Sequence, residues 1–177
     1  MQDWAARIRV PAGFLLAGLY FYFSMPTWIS LVYGTLVASL GLLIRAWATG
    51  HLKKNDELAM TGPYALTRNP LYLGSFIIGI GFSIAGRNTW IYVLFLVGFA
   101  LIYGCTMDRE MKHLRALFPE EYARYQNQVP LLFPRLRHLE RGEGRFSLDR
   151  YRKNREYQAL LGFLFAVLIL MLKILYS

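Results

Sequence analysis

The chain reads as an all-α, polytopic membrane protein with about five transmembrane helices, on three observations. Of its 177 residues, 55% are hydrophobic, and these gather into blocks instead of spreading along the chain. Basic residues fall on alternate connections between the blocks. One connection, at 62–74, is dense in groups of fixed direction: two prolines, two tyrosines, an arginine and an asparagine.

The apolar blocks lie near 10–25, 28–48, 71–85, 90–107 and 158–176. A spanning helix needs roughly 20 mostly apolar residues. The second, fourth and fifth blocks meet that. The first and third are short and must borrow flanking residues or sit where the bilayer is thin. Residues 1–9 form a short amphipathic lead-in, with Trp4 at the interface. No small-residue cleavage site follows the first block, so it is expected to be a retained span and not a signal peptide. Pro26 ends that block and the next begins almost at once, which makes the two an antiparallel hairpin. Arg45, near the inner end of the second block, is expected to snorkel to headgroups, with the holding of an anionic substrate group as the alternative.

In the third block Ser75 with Gly79, and Gly81 with Ala85, share helix faces at a spacing of four. Small residues so placed let helices approach closely in lipid. The fourth block runs on past 107, because Met107, Met111, Leu114 and Phe118 continue at helical spacing. Pro119 restarts a short helix with Glu120 and Glu121 in its first turn, where carboxylates suit the dipole. Tyr122, Tyr125 and Val129 line one side of it. Residues 129–134 are too short to span and read as an interfacial wedge. The stretch 108–157 is expected to be cytosolic helices and linker, with 135–157 solvated or bound to headgroups. The chain is taken as a single membrane domain, 1–177.

The net charge of +9 raises the question of nucleic acid, and its location answers it. One side carries Arg7, Arg9, Lys53, Lys54, Arg68 and twelve Lys and Arg from Arg109 to Arg155; the other carries Arg87 and Lys173. The positive-inside rule then gives a cytosolic N-terminus and an external C-terminus. Anionic membrane lipids are the expected partners, and no nucleic-acid motif is visible. The single cysteine, Cys105, lies in an apolar block and is expected to behave as a small hydrophobe. His51 has no second histidine or cysteine at ligand spacing, so a solvated loop histidine and no metal site are expected.

In the 62–74 connection, Pro70 suits the first position of a helix and Asn69 the cap before it. Such a start presents free N–H groups and a positive dipole end to an anion. A plain turn would account for Gly62, Pro70 and Gly74. It would not require Tyr64, Arg68 and Tyr72 together.

The stretch Gly62-Pro63-Tyr64, Arg68-Asn69-Pro70, Tyr72 and Gly74 resembles the motif of the isoprenylcysteine carboxyl methyltransferase and phospholipid methyltransferase superfamily. Its C-terminal signature has a counterpart in Glu110-Met111-Lys112-His113-Leu114, Phe118, Tyr122, Tyr125 and Val129-Pro130. Asn69 stands where many relatives have histidine, Met111 replaces a second glutamate, and Pro119 replaces a glycine. Gly79-Ile80-Gly81 also looks like the short Gly-x-Gly associated with cofactor binding in phospholipid methyltransferases. No strand precedes it, which excludes a dinucleotide fingerprint.

The resemblance implies S-adenosyl-L-methionine as methyl donor, S-adenosyl-L-homocysteine as product, and a lipid, prenylated or otherwise lipophilic acceptor that enters sideways between helices. It implies Arg68 and Glu110 as the catalytic pair, and Tyr64, Arg68, Asn69, Pro70, Tyr72, Gly74, Glu110, Tyr122 and Tyr125 as cofactor-binding residues. In that reading Glu110 takes the donor's ammonium or ribose hydroxyls, Arg68 and the helix start take its carboxylate, and the tyrosines wall its adenine. A multi-pass protein of the bacterial inner membrane is expected. A non-catalytic membrane scaffold or lipid-binding protein that retains the fold is the alternative.

Overall fold

The computed structural model describes residues 15–53, 57–134 and 145–176. The lead-in with Trp4, the start of the first apolar block, and 135–144 lie outside these. Among the described residues every regular element is helical: α1 (15–23), α2 (Trp28–His51), a 3-10 turn (Gly62–Ala65), α3 (Pro70–Gly86), α4 (Thr89–Leu117), α5 (Pro119–Gln128), α6 (Leu148–Lys153) and α7 (Tyr157–Leu175). Three of these, α2, α4 and α7, are long and apolar enough to cross a membrane. The 17 residues of α3 are about 26 Å of helix, short of the roughly 30 Å hydrocarbon core.

The α2–α3 pair forms the centre, and small residues make it. Gly34, Ala38 and Gly41 on α2 face Gly74, Gly81 and Ala85 on α3. A Cβ added at Gly34 would lie 2.5 Å from the Gly81 carbonyl oxygen, and one at Gly41 2.5 Å from that of Gly74. The backbones are therefore in direct contact, as small-residue faces allow. The face expected from Gly81 and Ala85 is the one used. Gly79 points elsewhere, towards the Phe95 ring of α4.

One end of the bundle gathers the α1–α2 and α3–α4 connections. Thr27 and Ser30 form a capping box at the start of α2, and Ser30 Oγ also donates to the Ala85 carbonyl at 3.0 Å. Met25 N–H donates to the Gly86 carbonyl at 2.8 Å, and Asn88 Nδ2 to that of Phe23 at 3.0 Å. Arg87, with φ 51°, is the left-handed cap that ends α3. Lys173, in the last turn of α7, donates to the Phe21 and Tyr22 carbonyls at the end of α1.

The opposite end holds the end of α2, the 3-10 turn, the start of α3, the end of α4, and α5 and α6. The 29 residues of α4 make about 44 Å of helix, so its last turns project beyond an apolar core. There Leu58, Tyr122, Tyr125 and Val129 form a buried cluster, with Met111, Leu114 and Phe118 packed against it. The described basic residues other than Arg87 and Lys173 belong to this end, apart from Arg45, which lies inside the helix α2.

One expectation changes here. His51 is no solvated loop residue: it is the last residue of α2, buried, with Nδ1 2.9 Å from the Trp47 carbonyl and its ring near Phe146. The described part of 135–157 carries a short surface helix, one of the forms expected of it, and specific bonds hold it in place. Ser147 N–H donates to the Gly50 carbonyl at 3.0 Å, and Asn154 Nδ2 to that of Thr49 at 3.3 Å, so α6 docks on the end of α2.

Candidate active site

The 62–74 connection is fastened to both sides of the charged end. Gly62 has φ 60°, and a Cβ there would lie 2.7 Å from the His51 imidazole, so conformation and space both call for glycine. Tyr64 is buried and its carbonyl accepts from the Tyr125 hydroxyl at 2.7 Å. Arg68 N–H donates to the Pro130 carbonyl at 2.9 Å, and Thr67 Oγ1 to that of Leu131 at 3.3 Å. The expected wedge at 129–134 thus seals the Arg68 loop, and the two halves of the signature meet.

Arg68 is the unusual member. Its Nη1 reaches the Tyr122 hydroxyl only at 3.4 Å, and its Nε is buried without a partner among the described residues. A buried unpaired donor costs about 1–3 kcal/mol, and for a cation more. From another direction the Arg115 guanidinium stands 5.8 Å from the centroid of the Tyr122 ring. Two cations thus frame one enclosed phenol.

Asn69 does occupy the cap position before Pro70, but its side chain caps nothing. Its Nδ2 donates instead to the Leu131 carbonyl at 3.0 Å. The side chain is spent on closing the loop and does not cap α3. Tyr72 places its ring 5.2 Å from that of Tyr103 on α4, edge to face. Gly74 is committed to packing: a Cβ would lie 2.5 Å from Arg45 Cγ and 2.7 Å from the Gly41 carbonyl oxygen.

Glu110 projects from the exposed side of α4, one residue from Met111, which joins the buried cluster. Its field reaches the loop. The Tyr64 phenol is held well above the usual range by burial first, then by the carboxylates of Glu110 and Glu156, against a smaller opposing pull from Arg45. The Tyr125 phenol is raised by burial and by Tyr64, with Arg68 opposing. Tyr122 and Tyr125 are almost wholly enclosed, so they lend the site hydroxyl direction and not open ring faces.

Arg45 overturns its expectation. It does not snorkel: Nε donates to Glu156 Oε1 at 2.6 Å and Nη2 to Oε2 at 3.0 Å. Its Nη1 donates to Ser75 Oγ at 2.6 Å and approaches the Leu71 carbonyl at 3.5 Å. With all three nitrogens engaged, the alternative of holding a substrate anion is also disfavoured. Sequence reasoning missed Glu156 and Ser75 as its partners. The signal available was that a cation inside an apolar helix demands an anion.

Between α1, α3 and α4 lies an open cleft of about 410 Å³. Tyr20, Phe82, Phe95, Phe99 and Tyr103 line it, with Gly79 at its wall. Two of its hydroxyls are satisfied internally, Tyr20 by the Phe82 carbonyl at 2.9 Å and Ser83 by that of Gly79 at 2.8 Å. Apart from the Tyr103 hydroxyl, the rest of the lining is apolar. Tyr103 lines the cleft and touches Tyr72, so one ring pair joins it to the Arg68 loop. Among the described residues, no three His, Cys, Asp or Glu side chains gather that could hold a metal ion.

Residues 30–121 match the phospholipid methyltransferase family model, more than half of the chain. The chain belongs to the phospholipid methyltransferase family. It is 34% identical over 147 residues to the cobalt-zinc-cadmium resistance protein CzcN of Cupriavidus metallidurans, over 79% of this chain and 67% of that protein. It is 32% identical over 115 residues to the nickel-cobalt-cadmium resistance protein NccN of Alcaligenes xylosoxydans xylosoxydans, over 62% of this chain and 54% of that one. The chain thus spans about two thirds and about half of these curated relatives. No solved structure matches it. The family match takes in the Arg68 loop, Glu110 and Tyr103, and stops before Tyr122, Tyr125 and Glu156.

Proposed function

We propose that this chain is an S-adenosylmethionine-dependent methyltransferase acting on a lipophilic acceptor in the membrane. The observation that carries the reading is the Nε of Arg68, buried without a partner among the described residues and two positions before the first residue of α3. A donor for an anion held in that state fits a carboxylate such as the methyl donor's.

Arg68 and the Pro70 turn hold that carboxylate, and Glu110 takes the ammonium or ribose hydroxyls. Tyr64 and Tyr72 border the same space, with Tyr122 and Tyr125 bracing Arg68 and the loop. When bound, the donor supplies a sulfonium methyl for in-line displacement. The protein's share is alignment and a fixed field, and Arg68 and Glu110 supply the charges. The cleft beside Tyr103 takes the acceptor's hydrocarbon part and keeps its reactive head near Tyr72. A carboxylate or thiolate head is already nucleophilic, so no general base is named. The charged end faces the cytosol of a bacterial inner membrane, where Arg and Lys meet anionic headgroups. The metal-resistance names of the relatives suggest that the methylated product serves that response.

Titration of S-adenosylhomocysteine into detergent-purified protein tests the donor half. Binding by wild type and its loss in Glu110→Ala is the expected result, and no binding by wild type overturns the reading. Mass spectrometry of membrane lipids with active protein and with Arg68→Ala then looks for the methylated species. A second reading, a lipid-binding scaffold, is favoured by Met111, which replaces a glutamate of the signature and packs into the buried cluster. That reading expects lipid in the cleft and no S-adenosylhomocysteine bound.

A further inference from the structure

We propose that Glu156, at the foot of α7 and beyond the family match, is a positioning residue for the donor site, acting through Arg45. The inference rests on the donor site proposed above. Glu156 is 8% exposed, yet it carries a carboxylate, and both its oxygens are taken by one guanidinium. Two parallel bonds fix the plane of that guanidinium and not merely its charge. The plane matters because of what Arg45 holds with its remaining nitrogen. Nη1 donates to Ser75 Oγ and lies against the Leu71 carbonyl, both in the opening turns of α3. The Arg45 stem also fills the space over Gly74, where no Cβ fits. The turn that starts α3 is thus clamped from behind by a side chain that Glu156 orients. That same turn carries the N–H groups beside Arg68.

The attachment is specific to this end of α7. Most of α7 is exposed; besides the packing of Leu170 and Phe163, a polar lock is made by Lys173, which binds the Phe21 and Tyr22 carbonyls at the opposite end of the bundle. Losing either lock loosens α7. Only the loss of Glu156 frees Arg45.

A single substitution would leave one buried charge unpaired and risks misfolding, whereas replacing both partners by apolar residues of similar volume is often tolerated. The test therefore compares wild type, the double variant Arg45→Met with Glu156→Leu, and Lys173→Met, in detergent. Thermal stability and S-adenosylhomocysteine affinity are measured for each. The double variant is expected to fold and bind about tenfold more weakly, the low end of what supporting partners are worth at metal sites. Lys173→Met is expected to lose stability and keep wild-type affinity. Equal affinity in wild type and the folded double variant overturns the inference, as does an equal loss in Lys173→Met. The milder Ser75→Ala, which removes one acceptor and no charge, should weaken binding in the same direction, and unchanged affinity there also counts against it. Wild type that binds no S-adenosylhomocysteine overturns the donor site itself, a result distinct from the others.

Discussion

The hydroxyl of Tyr125 donates to the carbonyl oxygen of Tyr64 at 2.7 Å, across 61 residues of chain. That bond ties the helix after Pro119 to the turn before Arg68, and both partners are buried. Tyr125→Phe keeps the ring and leaves the carbonyl unpaired, which costs about 1–3 kcal/mol. The expected outcome is a lower melting temperature in detergent together with weaker donor binding, because the loop loses a fastening. Unchanged melting would show that the bond is not made.

Arg68 separates stability from function. Its buried Nε has no partner among the described residues, so replacing the side chain removes a cost of about 1–3 kcal/mol. Arg68→Met is therefore expected to melt no lower than wild type while losing S-adenosylhomocysteine binding. Such a trade-off is common where a site is held unsatisfied for its ligand. A variant that melts far lower would mean that the Tyr122 contact, at 3.4 Å, matters more than its length suggests.

Glycines here differ in what a side chain would meet. A Cβ at Gly81 would lie 2.5 Å from the Ala38 nitrogen and 2.6 Å from the Gly34 carbonyl oxygen, and neither can turn aside. Gly81→Val should cost at least about 1–3 kcal/mol by overpacking. At Gly104 a Cβ meets nothing within 4 Å, so Gly104→Ala should be neutral or gain up to about 1 kcal/mol of helix propensity. Thermal unfolding of the two variants side by side checks both.

Much of this was legible because it is periodic or local. Met107, Met111, Leu114 and Phe118 repeat at helical spacing, and the structure continues α4 to Leu117 with the last three packed on one cluster. Gly81 and Ala85 likewise marked the face that meets α2. What stayed hidden depends on partners remote in the chain. Arg45 and Glu156 are 111 residues apart, so the place of Arg45 in an apolar helix calls for an anion without saying which one. Asn69 had a local role to play, and the Leu131 carbonyl outcompeted it from 62 residues away. His51 was misread for the same reason: the residues that enclose it, Gly62 and Phe146, come later in the chain.

The buried phenols also fix how the protein responds to alkali. Burial leads in raising both Tyr64 and Tyr125, so each keeps its proton in the folded protein beyond the ordinary phenol value of 10.0. In the unfolded chain the same phenols ionise near that value. Above it the unfolded state has lost protons that the folded state retains, so stability must fall as pH rises. Below it both states are protonated and neither phenol makes stability depend on pH. Unfolding in detergent followed across this range should therefore show no contribution from these groups up to the ordinary value and a steepening loss beyond it. Tyr64→Phe and Tyr125→Phe should each flatten that loss, whatever they do to stability at neutral pH. Phenolate absorbance gives the second readout: Tyr64 and Tyr125 should contribute to it only as the fold is lost, read as the difference between wild type and each Phe variant. Their titration near the ordinary value in folded protein would show that water reaches them.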